Sequence, residues 1–180
     1  DYKFWNKHFF YWIWKSIRFR KYLNFLNFLK YIYFFYIKEN IHLKKKVGSS
    51  QNTLSKILER SKFDPLYTLL KIDIDGDEYK IINENKNYNF FGLIIEFENL
   101  NKNFKKVEKF ICNNKNLELI HIHGNNFSSV IDHIPDSIEL SFVNKNFVDV
   151  RKKNHKKYPI KNLDYPNNIM KKDIELIFKK

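Results

Sequence analysis

The sequence predicts an α/β protein with a mostly parallel sheet and an antiparallel edge. Three observations carry this. Apolar runs of strand length at 68–75, 91–98 and 117–123 alternate with segments of helical periodicity. The runs stay apolar almost to their last residues, as parallel strands covered on both faces do. The last two runs, 117–123 and 137–143, have no helical segment between them and supply the antiparallel edge.

The elements follow in order. From Trp5 to Ile37, Arg20, Asn24, Asn27 and Lys30 recur at helical spacing among Leu23, Phe25, Leu26, Phe28 and Leu29. This predicts amphipathic aromatic helices. They would serve as a layer on the core, as a lid, or as a peripheral membrane contact through residues 9–37. Lys15, Arg18, Arg20 and Lys21 interrupt the stretch too often for a spanning helix. Residues 41–47 alternate weakly and predict a short strand, so residues 1–47 form a basic helical segment ahead of an α/β body at 48–180, together one domain. Ser50 or Asn52 caps a helix carrying Leu54, Ile57 and Leu58. Helices are expected at 78–85 and at 103–114, the latter with Phe104, Val107, Phe110 and Ile111 on one face. Residues 174–178 form an apolar end that docks on the body.

Composition narrows the classes of function. The 180 residues fit a single core. The net charge of +13 accompanies many Lys, Asn, Ile, Phe and Tyr and no alanine. All five have AT-rich codons, so the charge reflects base composition, and no RNP-like, zinc-finger or phosphate-loop pattern points to nucleic acid. Cys112 excludes an internal disulfide and reads as a buried or half-buried structural thiol. A mean hydropathy of −0.55 fits a cytoplasmic protein, with at most peripheral membrane contact.

The chemistry gathers at strand ends. Asp73, Asp75, Asp77 and Glu78 fall within six positions, and such crowding is costly unless a cation offsets it. Alternation puts Lys71, Asp73 and Asp75 on one face of their strand, Glu96 and Glu98 on one face of the next, and His121 and His123 on one face of the third. Ligands of open α/β sheets bind beyond the carboxyl ends of strands. If the three strands run the same way, Asp73, Asp75, Glu96, His121, His123, Asn125 and Asn126 line one crevice. Such a set can hold a divalent metal through Asp73, Asp75 and Glu96. It can also place a general base beside a substrate hydroxyl.

Leu69-Leu70-Lys71-Ile72-Asp73-Ile74-Asp75-Gly76-Asp77-Glu78-Tyr79 resembles the central signature of the FkbM family of S-adenosylmethionine-dependent methyltransferases. Gly92-Leu93-Ile94-Ile95-Glu96-Phe97 resembles that family's following strand, and His121-Ile122-His123-Gly124-Asn125-Asn126 a His-rich segment of some members. The likeness spans about residues 52–144. It implies a class I, Rossmann-like methyltransferase fold and O-methylation of a sugar or other small hydroxyl compound. S-adenosylmethionine would lie at Asp73 and Glu78, and Asp73, Asp75, Glu96, His121 and His123 would act as acids and bases. Asn125 and Asn126 would face the acceptor. The family's glycine-rich turn after its first strand has no counterpart, since Gly48 stands alone. This departure predicts an N-terminally truncated chain in which Asp1 is the acid that meets the cofactor ribose. Two rivals stay open: a metal-dependent glycosyltransferase using Asp73-x-Asp75, and an inactive truncated domain that binds a membrane or partner.

Overall fold

A computed structural model describes residues 53–84, 89–131, 133–149 and 157–176, with Trp14, Leu26, Leu29, Lys30, Tyr33 and Val47. The chain divides into two compact units, Asp1–Lys45 and Lys46–Lys180. In the first, Trp14, Leu26, Leu29 and Lys30 are helical and exposed. The expected aromatic helices, Asp1 and all but the last residue of the expected strand at 41–47 otherwise lie outside the described residues. Val47 sits in a turn, half-buried against the core of the second unit.

The second unit is α/β. Helix α1 (Leu54–Ser61) is capped by Thr53, whose Oγ1 accepts from the Lys56 amide at 3.3 Å. The cap thus falls one residue beyond the expected Asn52. A one-turn 3-10 helix at Pro65–Tyr67, capped by Asp64, leads into β1 (Leu69–Ile72). Then come α2 (Glu78–Glu84), β2 (Gly92–Phe97), α3 (Leu100–Asn113) and β3 (Leu117–Gly124). A small hairpin, β4 (Val130–Ile131) with β5 (Ile134–Pro135), precedes β6 (Ile138–Asn144).

The main sheet has the order β1-β2-β6-β3. Among the described residues only β1 and β2 pair in parallel in this sheet; β6 pairs antiparallel with both β2 and β3. The expected mostly parallel sheet is therefore corrected to a mixed sheet in which antiparallel pairings dominate. The reversed strand is internal, between β2 and β3, and not at the edge. It follows that β1, β2 and β3 still run the same way, because β3 is antiparallel to a strand that is itself antiparallel to β2.

The sheet also departs from the expectation of cover on both faces. One face carries Ile72, Leu93, Ile95, Phe97, Ile138, Leu140 and Phe142, all buried. They join Leu54 of α1, Tyr79, Ile81 and Ile82 of α2, and Leu100, Val107 and Phe110 of α3 in a single core. Aromatic rings run through it, with centroids 5.5 Å apart for Tyr79–Phe97, 6.1 Å for Phe97–Phe110 and 5.6 Å for Phe110–Phe142. Tilted and edge-on pairs at such spacing add to the burial of their area. The opposite face, with Ile94, Glu96, Glu139, Ser141, His121 and His123, is half-buried. Phe104 and Cys112 of α3 are exposed, so the thiol is not the buried one expected.

Candidate functional site

The half-buried face holds the polar residues in rows, because strand partners in register share a face. Ile94 of β2 pairs with Ser141 of β6, which pairs with His121 of β3. One step nearer the carboxyl ends, Glu96 pairs with Glu139, which pairs with His123. Lys71 reaches over from β1 to donate to Glu139 Oε2 at 3.3 Å and lies 4.0 Å from Asp73. The structure thus gathers Lys71, Asp73, Glu96, Glu139, His121 and His123 on one face, at the edge where β1, β2 and β3 all end.

At the β1 end the chain turns through two left-handed residues, Asp75 at φ +48° and Gly76 at φ +97°. Glycine adopts this backbone freely, and aspartate is among the few side chains that tolerate it. Asp73 and Asp75 are exposed. Glu78 is not: it is fully buried, and its two oxygens accept from the Gly76 amide at 2.8 Å and the Glu98 amide at 2.9 Å. The expectation that Glu78 touches a cofactor is corrected, since its carboxylate fastens the acidic turn to the end of β2. Tyr79 reinforces the fastening by donating from its hydroxyl to the Glu98 carbonyl at 2.6 Å. Burial, then the charges of Glu78, Asp136 and Glu98, push this phenol's pKa well above its ordinary value, so it stays a donor.

In the sequence, Glu98 stands out only by sharing a face with Glu96. Its carboxyl is pushed above the usual range, first by burial and then by Asp75, Glu78, Glu96 and Asp73. A proton held more tightly amid four like charges marks the acidic focus of the crevice.

The β3 end is organised differently. His121 Nε2 meets Asp164 Oδ1 at 2.7 Å, and His123 Nε2 meets Asp173 at 3.1 Å. Both acids belong to the segment 157–176, which lies along the polar face and also sets Tyr158 against the His121 ring. Nothing in the sequence marks Asp164 or Asp173, because 43 and 50 residues separate them from their partners. Asn125 donates to Glu96 Oε1 at 2.7 Å, and the Ser137 hydroxyl donates to the same oxygen at 2.8 Å. Asn126 is buried; its Nδ2 donates to the Asn168 carbonyl at 3.0 Å, and its Oδ1 accepts from the Asn168 amide at 2.6 Å. The expected acceptor contact through Asn126 is therefore corrected: its amide is used up inside the fold.

A divalent metal does not fit the expected set. No three His, Cys, Asp or Glu side chains among the described residues converge to hold one. Asp73 and Asp75 point into solvent, while one oxygen of Glu96 is taken by Asn125 and Ser137. A shallow cleft of about 160 Å³, lined by Asn101, Phe104, Ile131, Ile134 and Asp136, opens beside the start of α3. Its Asp136 adjoins Ser137 in sequence. No helix among the described residues is long and apolar enough to cross a membrane. The chain matches no protein-family model, no curated protein and no solved structure.

Proposed function

We propose that this protein is an S-adenosylmethionine-dependent O-methyltransferase of the FkbM type, acting on a hydroxyl of a sugar or other small molecule. The observation that carries the reading is the edge shared by β1, β2 and β3, where the motif residues Asp73, Glu96 and His123 fall on one face. Ligands of open α/β sheets bind at such an edge. The donor chemistry suits the cofactor: its sulfonium and ammonium groups are cationic, and Asp73, Asp75, Glu96 and Glu98 concentrate negative charge. The cofactor, when bound, supplies an electrophilic methyl group.

The chain's own residues then align and deprotonate the acceptor. With Nε2 of His123 held by Asp173, Nδ1 is the ring nitrogen left to accept a proton. Glu96, fixed by Asn125 and Ser137, presents its second oxygen to a hydroxyl. Positioning supplies most of the acceleration in such a site.

Calorimetry with S-adenosylhomocysteine on the folded protein tests the reading directly. Saturable heat that is lost in Asp73→Asn is the expected result; no heat from a folded sample ends the proposal. Transfer of labelled methyl groups to a panel of sugars and small alcohols would then identify the acceptor. Manganese-dependent binding of a nucleotide-sugar, with no response to S-adenosylhomocysteine, would replace methyl transfer by glycosyl transfer.

A further inference from the structure

The segment 160–172 is turned inside out relative to ordinary packing. Asp164, and Asp173 just beyond its end, point inward: they are held by His121 and His123, with side chains only 5% and 13% exposed. Beyond half-buried Ile160, its large apolar side chains point outward: Leu163 is 61% exposed, Tyr165 72%, Ile169 85% and Met170 87%. The exposed charges from 160 to 176 are Lys161, Lys171 and Lys172 with one acid, Glu175.

The projecting tip is also built to stay in place. Asn168 Oδ1 accepts from the Met170 amide at 3.0 Å, and the Lys171 amide donates to the Asn168 carbonyl at 3.0 Å. Buried Asn126 clasps the base of this turn through the backbone of Asn168, with longer contacts to the carbonyls of Lys171 and Lys172. A buried amide therefore holds Ile169 and Met170 out in water, where their exposure is unfavourable.

We propose that the turn 168–171 is a membrane-docking element that dips Ile169 and Met170 into an anionic lipid surface. Lys161, Lys171 and Lys172 would lie at the headgroups and Tyr165 at the interface. Charge complementarity selects this occupant. Ile169 and Met170, flanked by exposed Lys161, Lys171 and Lys172 against one exposed acid, Glu175, suit a surface whose interior is apolar and whose headgroups are negative. A tyrosine fits that boundary because one end of its ring is apolar and the other polar. The proposal does not depend on the methyltransferase reading.

The test is co-sedimentation of the full chain with phosphatidylcholine vesicles, with and without phosphatidylserine. Pelleting is expected only with phosphatidylserine, and it should fall several-fold between about 0.1 and about 0.5 M salt as the lysines are screened. The double variant Ile169→Asp/Met170→Asp should bind roughly tenfold more weakly or less, since two buried side chains are lost from the bilayer. Lys171→Glu/Lys172→Glu should abolish the preference for phosphatidylserine. Both pairs are exposed, and circular dichroism with an unchanged melting temperature would confirm the fold. Vesicle binding that survives both variants would assign it to another surface and overturn the proposal. So would absence of binding, or a dimer that only the Ile169→Asp/Met170→Asp change dissociates, which would make the occupant a second copy.

Discussion

The two ends of the polar row are held in opposite ways. At the β1–β2 end, carboxylates crowd within a short stretch and one of them, Glu78, is buried on two backbone amides close by in sequence or on the next strand. At the β3 end, the histidines are paired with acids that arrive from a segment 43 and 50 residues downstream. The acidic end is thus locally fastened and internally repulsive, with Asp73 and Asp75 open to solvent. The histidine end is remotely fastened and electrostatically satisfied. Under the proposed function, a ligand offering positive charge would take the first end and the second would supply oriented bases.

The largest effect expected is on the lock at the acidic end. Glu78→Ala leaves the amides of Gly76 and Glu98 without their acceptor in a buried place, which costs about 3 kcal/mol. Urea denaturation should show it as a fall in midpoint with an unchanged slope. Glu78→Gln keeps one acceptor oxygen and should lose about half as much. A loss under about 0.5 kcal/mol for Glu78→Ala, the range of an ordinary surface change, would mean that the acidic turn is not fastened by this carboxylate.

Asn126→Ala probes the equivalent clasp at the histidine end. It strands the Asn168 amide and carbonyl, for a cost of about 2 kcal/mol. More tellingly, it should loosen 157–176 locally, so that trypsin cuts after Lys171 or Lys172 well before the sheet unfolds. Cleavage no faster than in the unaltered chain would show that the segment is not held through Asn126.

A smaller effect measures the pairing itself. In a double-mutant cycle, His121→Ala with Asp164→Ala should show a coupling of about 1 kcal/mol, as close, half-buried partners do. His121→Ala with Asp173→Ala should add, since those residues are not partners. Equal coupling in both cycles would erase the distinction between two separate His–Asp pairs.

The contrast also explains what was legible in the sequence. Strand ends carrying Asp73, Glu96 and His123 are visible because alternation fixes their faces and the apolar runs fix their strands, and both are local properties. The insertion of β6 between β2 and β3 was not visible. Its own alternation, with Ile138, Leu140 and Phe142 buried against half-buried Glu139, Ser141 and Val143, fits an internal or an edge strand equally well. The hairpin β4–β5 was missed because two-residue strands are too short to show a period. The burial of Glu78 was hidden for another reason: a glutamate just beyond a glycine reads as solvated until the fold supplies the Glu98 amide from β2. Asp164 and Asp173 had no signal, since a loop acid acquires meaning only from the histidine it reaches.

Glu98 gives the smallest effect and the one with opposite sign. Burial and four neighbouring carboxylates hold its carboxyl above the usual range, so the folded chain binds that proton more tightly than the unfolded chain does. The resulting stability is fully present below the ordinary carboxylate value and is lost as pH rises through the raised one. Above the raised value, ionising Glu98 in the fold carries a cost. Glu98→Gln should raise the melting temperature at pH 7 by about 1–2 °C, a modest gain because solvent screens the repulsion. The gain should vanish as pH falls below the ordinary carboxylate range, where the carboxyl is neutral in folded and unfolded chain alike. Added salt should shrink it too, by screening the same charges. A lower melting temperature for Glu98→Gln at pH 7 would mean that the side chain has a favourable partner, and the acidic end would no longer be the repulsive one. If the variant is stabilised yet loses S-adenosylmethionine binding, the repulsion at this end is tied to attraction for a ligand bearing a sulfonium, a trade that the satisfied histidines of β3 do not offer.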